Sequence, residues 1–145
     1  MKRRTPDVLL VEDNDLDAEK VTRAFRTLGV RRALTRARDG LEALDTLHAE
    51  LGAAPRSPRP FVLLDLNMPR MNGFEFLAAL RSDGRLADTS VFVLTTSGRE
   101  ADVAEAYRHD VTGYFVKPQS MTDMIETLRV ANGFWDLCRL PGRPA

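Results

Sequence analysis

Cysteine is almost missing from this chain: Cys138 is the only one, and histidine occurs only at His48 and His109. A lone cysteine excludes an internal disulfide and fits a reducing compartment. Free cysteine is usually a small buried hydrophobe, and nothing around Cys138 marks it as reactive. No apolar run approaches the roughly 18 residues of a membrane span, and no signal-peptide core precedes the first apolar stretch. The chain also lacks a charge of one sign, since 21 basic residues meet 21 acidic ones. That balance argues against electrostatic binding to nucleic acid or an anionic membrane. Lys2-Arg3-Arg4 is basic but short, and reads as a solubilising tail. No GxxxxGK[ST] or GxGxxG pattern occurs, so no nucleotide cradle is visible. Together these absences describe a cytoplasmic protein without its own nucleotide site.

What is there is a run of short apolar segments, each ending in polar residues. The most informative is Phe61-Val62-Leu63-Leu64, which ends on Asp65 and is followed by Asn67 and Pro69. The run is short and apolar enough to be a buried strand. Proline cannot donate to a ladder and disfavours helix at the preceding residue, so the strand stops there. Asp65 is thus placed at the carboxyl end of a central strand.

The other segments follow the same plan. A strand over 7–11 runs into Glu12-Asp13-Asn14-Asp15. Leu16, Val21, Ala24, Phe25 and Leu28 then recur at helical spacing, with Gly29 where a helix C′ residue belongs. A strand over 30–37 is interleaved with Arg31, Arg32 and Arg36, the habit of an edge strand protected from further pairing. Asp39-Gly40-Leu41-Glu42 has the form of a capped helix start, followed by the stripe Leu41, Leu44, Leu47, His48, Leu51. Residues 52–60 carry three prolines and form an exposed connection. A helix is expected over 73–82, a strand over 91–94 leading to Thr95, a helix over 99–109, and a strand over 113–116 leading to Lys117-Pro118. A last helix, capped by Ser120, presents Met121, Met124, Ile125, Leu128, Ala131 and Trp135 on one face. His48 reads as a packed helix residue and His109 as one favoured by a helix C-terminus.

Five strand-then-helix units with buried, non-alternating strands predict a parallel sheet covered on both faces. The fold class is α/β, a doubly wound sheet whose ligands bind at the carboxyl edge where strand order reverses. The whole of 1–145 reads as one domain, large enough to bury about 70% of the surface of its unfolded chain.

The strand ends bring Glu12, Asp13, Asp65, Asn67, Thr95 and Lys117 to that edge. Three converging carboxylates without a partner repel one another. A divalent cation resolves this, and oxygen ligands without histidine or cysteine favour Mg2+. Lys117 adds a point positive charge for an anion, and Thr95 a hydroxyl donor. The set suits phosphoryl transfer, with a carboxylate, Asp65, as nucleophile. With no nucleotide cradle, the chain is expected to accept a phosphoryl group and not to make one from ATP.

These residues resemble the receiver domain of bacterial two-component response regulators over about 7–137. The acidic pair Glu12-Asp13, the Asp65 motif with Gly73, Thr95 thirty residues later, Tyr114, and Lys117-Pro118 follow in the family's order and spacing. The resemblance implies a flavodoxin-like sheet of five strands in the order 2-1-3-4-5 with five helices. It implies that a histidine kinase or phosphotransfer protein donates to Asp65. It implies Mg2+ held by Asp13, Asp65 and the main-chain carbonyl of Asn67, with Glu12 acting mostly through water on the metal. Lys117 and Thr95 would bind phosphoryl oxygens, Thr95 and Tyr114 would switch together, and Pro118 would follow a cis bond. Ser97 and Asn67 occupy positions where the family tunes phosphoaspartate hydrolysis. The chain would then be a phosphoacceptor signalling protein, not an enzyme with an external substrate.

Two features narrow the resemblance. The proline-rich 52–60 loop and the tail through Gly133-Phe134-Trp135-Asp136-Leu137 look like small stand-alone receivers without an output domain, which partner phytochrome-type histidine kinases. On the last helix, Val130, Phe134 and Leu137 lie opposite the core face. Either this second face forms a homodimer, or Asn132-Gly133 ends the helix and Phe134 folds back onto the domain. A relay intermediate, a phosphate sink and an Asp-nucleophile phosphatase are the alternatives; the last is disfavoured because Asn67 cannot transfer a proton.

Overall fold

The computed structural model describes residues 8–30, 32–53 and 59–138. Among the described residues ten elements alternate, strand then helix. They are β1 (Val8–Val11), α1 (Asp15–Thr27), β2 (Leu34–Ala37), α2 (Gly40–Ala53), β3 (Phe61–Leu64), α3 (Gly73–Ser82), β4 (Val91–Thr95), α4 (Glu100–Arg108), β5 (Gly113–Val116) and α5 (Met121–Leu137). The strands form one parallel sheet in the order β2-β1-β3-β4-β5, as the resemblance implies.

β1, β3 and β4 are buried throughout, because helices cover both faces of the sheet. Leu9, Val11, Val62, Leu64 and Val93 turn to one side and pack with Leu47 of α2 and Phe76, Leu77 and Leu80 of α3. Val8, Leu10, Phe61, Leu63, Phe92 and Leu94 turn to the other and pack with Val21 and Phe25 of α1 and Met124, Leu128 and Trp135 of α5. The period-2 geometry of the strands thus feeds two cores from residues that are apolar on both sides. The edge strands β2 and β5 are only partly buried.

Caps set the helix starts. Asn14, Asn72 and Ser120 each accept a backbone N–H from the first turn of α1, α3 and α5, and Glu75 completes a capping box on α3. Gly29, with φ +69°, closes α1 in the left-handed conformation expected there. At Gly73 the reason is space: a Cβ would lie 2.7 Å from the carbonyl oxygen of Asp65. Only glycine lets α3 start this close to the end of β3.

Several expectations are corrected. β2 spans Leu34–Ala37 and not 30–37; the Val30 N–H instead donates to the Phe25 carbonyl at 3.1 Å, so the α1 C-terminus occupies that segment. Arg31 lies outside the described residues, as do 54–58 of the proline-rich loop and the basic N-terminal residues, while Gly52 and Ala53 belong to α2. Leu16 and Leu41, read into the apolar stripes, are 60% and 44% exposed. Both stand in a first helical turn, at or beyond the sheet's carboxyl edge. No cis peptide bond occurs among the described residues, so Lys117–Pro118 is trans, the isomer an X–Pro bond ordinarily favours.

Helix α5 does not stop at Asn132-Gly133. It continues to Leu137 because Trp135 buries fully against Phe61, ring centroids 5.1 Å apart. Arg32 pins the same turns: it donates to the Asn132 side chain at 2.9 Å, pairs with Asp136, and lies over the Phe61 ring. Val130, Phe134 and Leu137 remain 46%, 43% and 88% exposed, although Phe134 also meets Phe92 edge-on. No helix among the described residues is long and apolar enough to cross a membrane.

Candidate functional site

The end of each central strand delivers one part of the site. The Asp65 N–H donates to the Val11 carbonyl at 3.0 Å, which continues the β1–β3 pairing by one residue and fixes the carboxylate beside Glu12 and Asp13. Carboxylate oxygens of Glu12, Asp13 and Asp65 lie within 4.8 Å of one another. Glu12 and Asp65 are buried and Asp13 is open to solvent. This all-oxygen donor set, with one member facing water, fits a hard divalent cation that keeps part of its hydration shell. A cavity of about 510 Å³ opens from Asp13 along Asn67, Pro69, Asn72, Arg99 and Asp102.

Asp65 is held from two sides. The hydroxyl of Thr95, itself fully buried, donates to Asp65 Oδ1 at 2.8 Å, and the Asn67 N–H reaches the same oxygen at 3.4 Å. The Lys117 ammonium faces Oδ2 at 3.4 Å. That ammonium sits closer to Glu12, at 2.6 Å. Burial pushes the Glu12 carboxyl up to about 7, and the Lys117 hydrogen bond only partly opposes it. Burial alone would lower the Lys117 pKa, but its bonds to Glu12 and Asp17 and the Asp65 charge raise it above the ordinary lysine value.

Tyr114 does not enter this cluster directly. Its hydroxyl donates to the Ser97 carbonyl at 2.8 Å, and the Ser97 hydroxyl donates to Asp102 of α4 at 2.5 Å. Tyr114 is thereby tied to the β4–α4 loop, two residues beyond Thr95. His48 of α2 pairs with Asp83 at the C-terminal end of α3, and His109 caps the end of α4. Neither enters the site.

Sequence reasoning overlooked two members. Asp17 accepts a hydrogen bond from Lys117 at 2.9 Å. In the sequence Asp17 reads as an ordinary acid in the first turn of α1; only the distant Lys117 marks it. Arg36, read as an edge-strand charge, donates to the Glu12 carbonyl at 3.0 Å and to Asp15 at 2.8 Å. It braces the turn that carries the acidic pair.

The sequence profile of the response regulator receiver domain matches residues 8–129. The chain belongs to the response regulator receiver domain family. It is 39% identical over 128 residues to the probable methanogenesis regulatory protein FilR2 of Methanothrix harundinacea, across 88% of this chain and 82% of that protein. It is 36% identical over 129 residues to the response regulator Rcp1 of Synechocystis, across 88% of this chain and 87% of Rcp1. The Mn2+-bound crystal structure of Rcp1 matches with a TM-score of 0.78 at 34% identity, covering 94% of this chain and 99% of Rcp1. The phosphorylated cyanobacterial phytochrome response regulator RcpA matches with a TM-score of 0.82 at 32% identity, covering 95% and 99%. The receiver is therefore a signalling protein of the two-component type whose acidic cluster, Glu12, Asp13 and Asp65, fits a divalent-metal site.

Proposed function

We propose that this receiver accepts a phosphoryl group on Asp65 and signals through the surface change that follows. The observation that carries the reading is the convergence on one buried carboxylate of a hydroxyl donor, Thr95 at 2.8 Å, and an ammonium, Lys117 at 3.4 Å, beside the carboxylate pair Glu12 and Asp13. The donor is phosphohistidine on a histidine kinase or phosphotransfer protein. An Asp65 oxygen bonds to phosphorus as the P–N bond breaks. The imidazole nitrogen keeps the electron pair and takes up a proton. Asp13, Asp65 and the main-chain carbonyl of Asn67 would hold Mg2+, with Glu12 beside them, and the ion supplies positive charge against the phosphoryl oxygens. Lys117 and the Thr95 hydroxyl bind the remaining oxygens.

Moving Thr95 off Asp65 toward the phosphoryl group vacates space near Tyr114. Tyr114 is the two-state element: its bond to the Ser97 carbonyl couples it to the β4–α4 loop, and its ring follows Thr95 inward. The face of α4, β5 and α5 changes with it. The protein works in the cytoplasm as a phosphoacceptor, with self-catalysed transfer and autodephosphorylation its only chemistry.

Likeness to Rcp1 and RcpA supports a bacteriophytochrome as the cognate kinase. The exposed Val130, Phe134 and Leu137 face supports a homodimer through α5 and its neighbours. Incubation with a 32P-labelled phosphorylated histidine kinase in Mg2+ tests the central step. Label passes to the parent protein and not to Asp65→Asn; label that reaches both, or neither, contradicts it.

A further inference from the structure

Asp17 is the charged residue at the site that phosphoryl transfer to Asp65 does not use. It stands in the first turn of α1, where Asn14 Oδ1 accepts its N–H at 2.9 Å. Its carboxylate is one of three around the Lys117 ammonium: Glu12 at 2.6 Å, Asp17 at 2.9 Å and Asp65 at 3.4 Å. The two nearest are Glu12, just past the end of β1, and Asp17 of α1, and the phosphoacceptor is the farthest. An ammonium is a compact charge with three donors on a flexible stem, so it can exchange acceptors without moving the backbone.

We propose that Asp17 is a positioning residue that holds Lys117 toward α1 in the unphosphorylated protein and competes with the phosphoryl group on Asp65 for the ammonium. The proposal rests on Asp65 being the phosphoacceptor. Burial explains why Asp17, among the three, is the partner that lets go. The side chains of Glu12, Asp65 and Lys117 are 3%, 7% and 9% exposed, whereas that of Asp17 is 28% exposed. Water can replace the ammonium at Asp17; at Glu12 it would leave a buried carboxylate bare. Phosphorylation replaces the single carboxylate charge of Asp65 with a phosphoryl group of about −1.5 to −2, a net gain of about one negative charge at most, carried on oxygens that accept from Lys117, and shifts the balance toward Asp65. Asp17 then sets how much of that attraction is spent on freeing the lysine.

A carboxylate in the first turn of a helix is also favoured by the helix dipole. That role alone predicts a loss of stability with no change at Lys117. Asp15 is the control, because it lies in the same turn and pairs with Arg36 and Arg38, not with Lys117.

Beryllofluoride, a phosphoryl mimic, is titrated at saturating Mg2+ into the parent, Asp17→Asn, Asp17→Glu and Asp15→Asn, with binding read by 19F NMR. In parallel, the Lys117 ammonium is followed by 1H–15N NMR in the metal-free proteins. Asp17→Asn is expected to bind the mimic about fivefold tighter, the size of one partly exposed ion pair. Asp17→Glu, which restores the charge, and Asp15→Asn stay near the parent, and only Asp17→Asn shifts the Lys117 ammonium resonance. Equal or weaker binding by Asp17→Asn overturns the proposal, as does an unmoved ammonium signal. If the parent binds no beryllofluoride, the assignment of Asp65 falls first and this inference with it.

Discussion

Lys117 Nζ lies 2.6 Å from Glu12 Oε1, and both side chains are more than nine-tenths shielded from water. The pair sets the pH response of the metal-free protein. Burial raises the Glu12 carboxyl from 4.5 to about 7, so between those values the folded chain holds a proton that the unfolded chain has released. Stability therefore falls as pH rises through this window. The raised Lys117 value acts elsewhere: its contribution is intact below the ordinary 10.5 and is lost only at more alkaline pH. Urea unfolding without metal should give a free energy that declines from about pH 5 to about pH 8, with a flatter profile in Glu12→Gln. A parent profile that rises over this range would show that Glu12 is ionised throughout.

The same carboxyl makes metal binding pH-dependent. A site that includes Glu12 must lose its proton to become fully anionic, so Mg2+ affinity should rise from about pH 6 to about pH 8 and binding should release protons. Calorimetry in two buffers of different ionisation enthalpy measures the release directly. Glu12→Gln should bind Mg2+ with little proton release.

Arg70 has φ +60°, a left-handed backbone that side chains other than glycine rarely adopt. Its guanidinium holds Asp39 Oδ2 at 2.6 Å and 2.5 Å through two nitrogens, while Asp39 Oδ1 accepts the Glu42 N–H at 2.9 Å. Asp39 thus caps α2 and anchors the loop that carries Asn67. Burial alone would raise its pKa, but the bonds from Glu42 and Arg70 hold it below the usual carboxylate range. Its contribution is present above the ordinary aspartate value and is lost as pH falls through the lowered one. Asp39→Ala should cost about 1–2 kcal/mol at neutral pH, the scale of a lost helix cap. The deficit relative to the parent should shrink in acid, as unfolding titrations at the two pH values will show.

How far the sequence reveals this architecture depends on what each residue answers to. β1, β3 and β4 were legible because a strand buried on both faces is apolar at every position, and Asp65 was legible because it breaks such a run. Strand order followed from the resemblance, not from composition. What escaped was decided by contacts far along the chain. Arg32 looks like one charge among several on an edge strand, yet it grips Asn132 and Asp136 a hundred residues away. Asp17 looks like an ordinary first-turn acid until β5 brings Lys117 beside it. Asn132-Gly133 resembles a helix end, but burying Trp135 outweighs the weak helix propensity of that pair.

The two faces of α5 should respond oppositely to substitution. Trp135→Ala empties a fully buried site against Phe61 and should cost about 3–5 kcal/mol. Leu137→Ser, at a position 88% exposed, should leave stability within about 0.5 kcal/mol. If the outer face forms a homodimer, Leu137→Ser combined with Val130→Ser should instead lower the mass seen by light scattering at micromolar concentration. A parent that is already monomeric, with and without a phosphodonor, would contradict the dimer.

The most direct test of the account is the intact mass of the protein after incubation with Mg2+ and a small phosphodonor such as acetyl phosphate. The account predicts one added phosphoryl group on the parent and none on Asp65→Asn. An unmodified parent, or an adduct that persists in Asp65→Asn, would contradict the assignment of Asp65 as the residue on which this receiver turns.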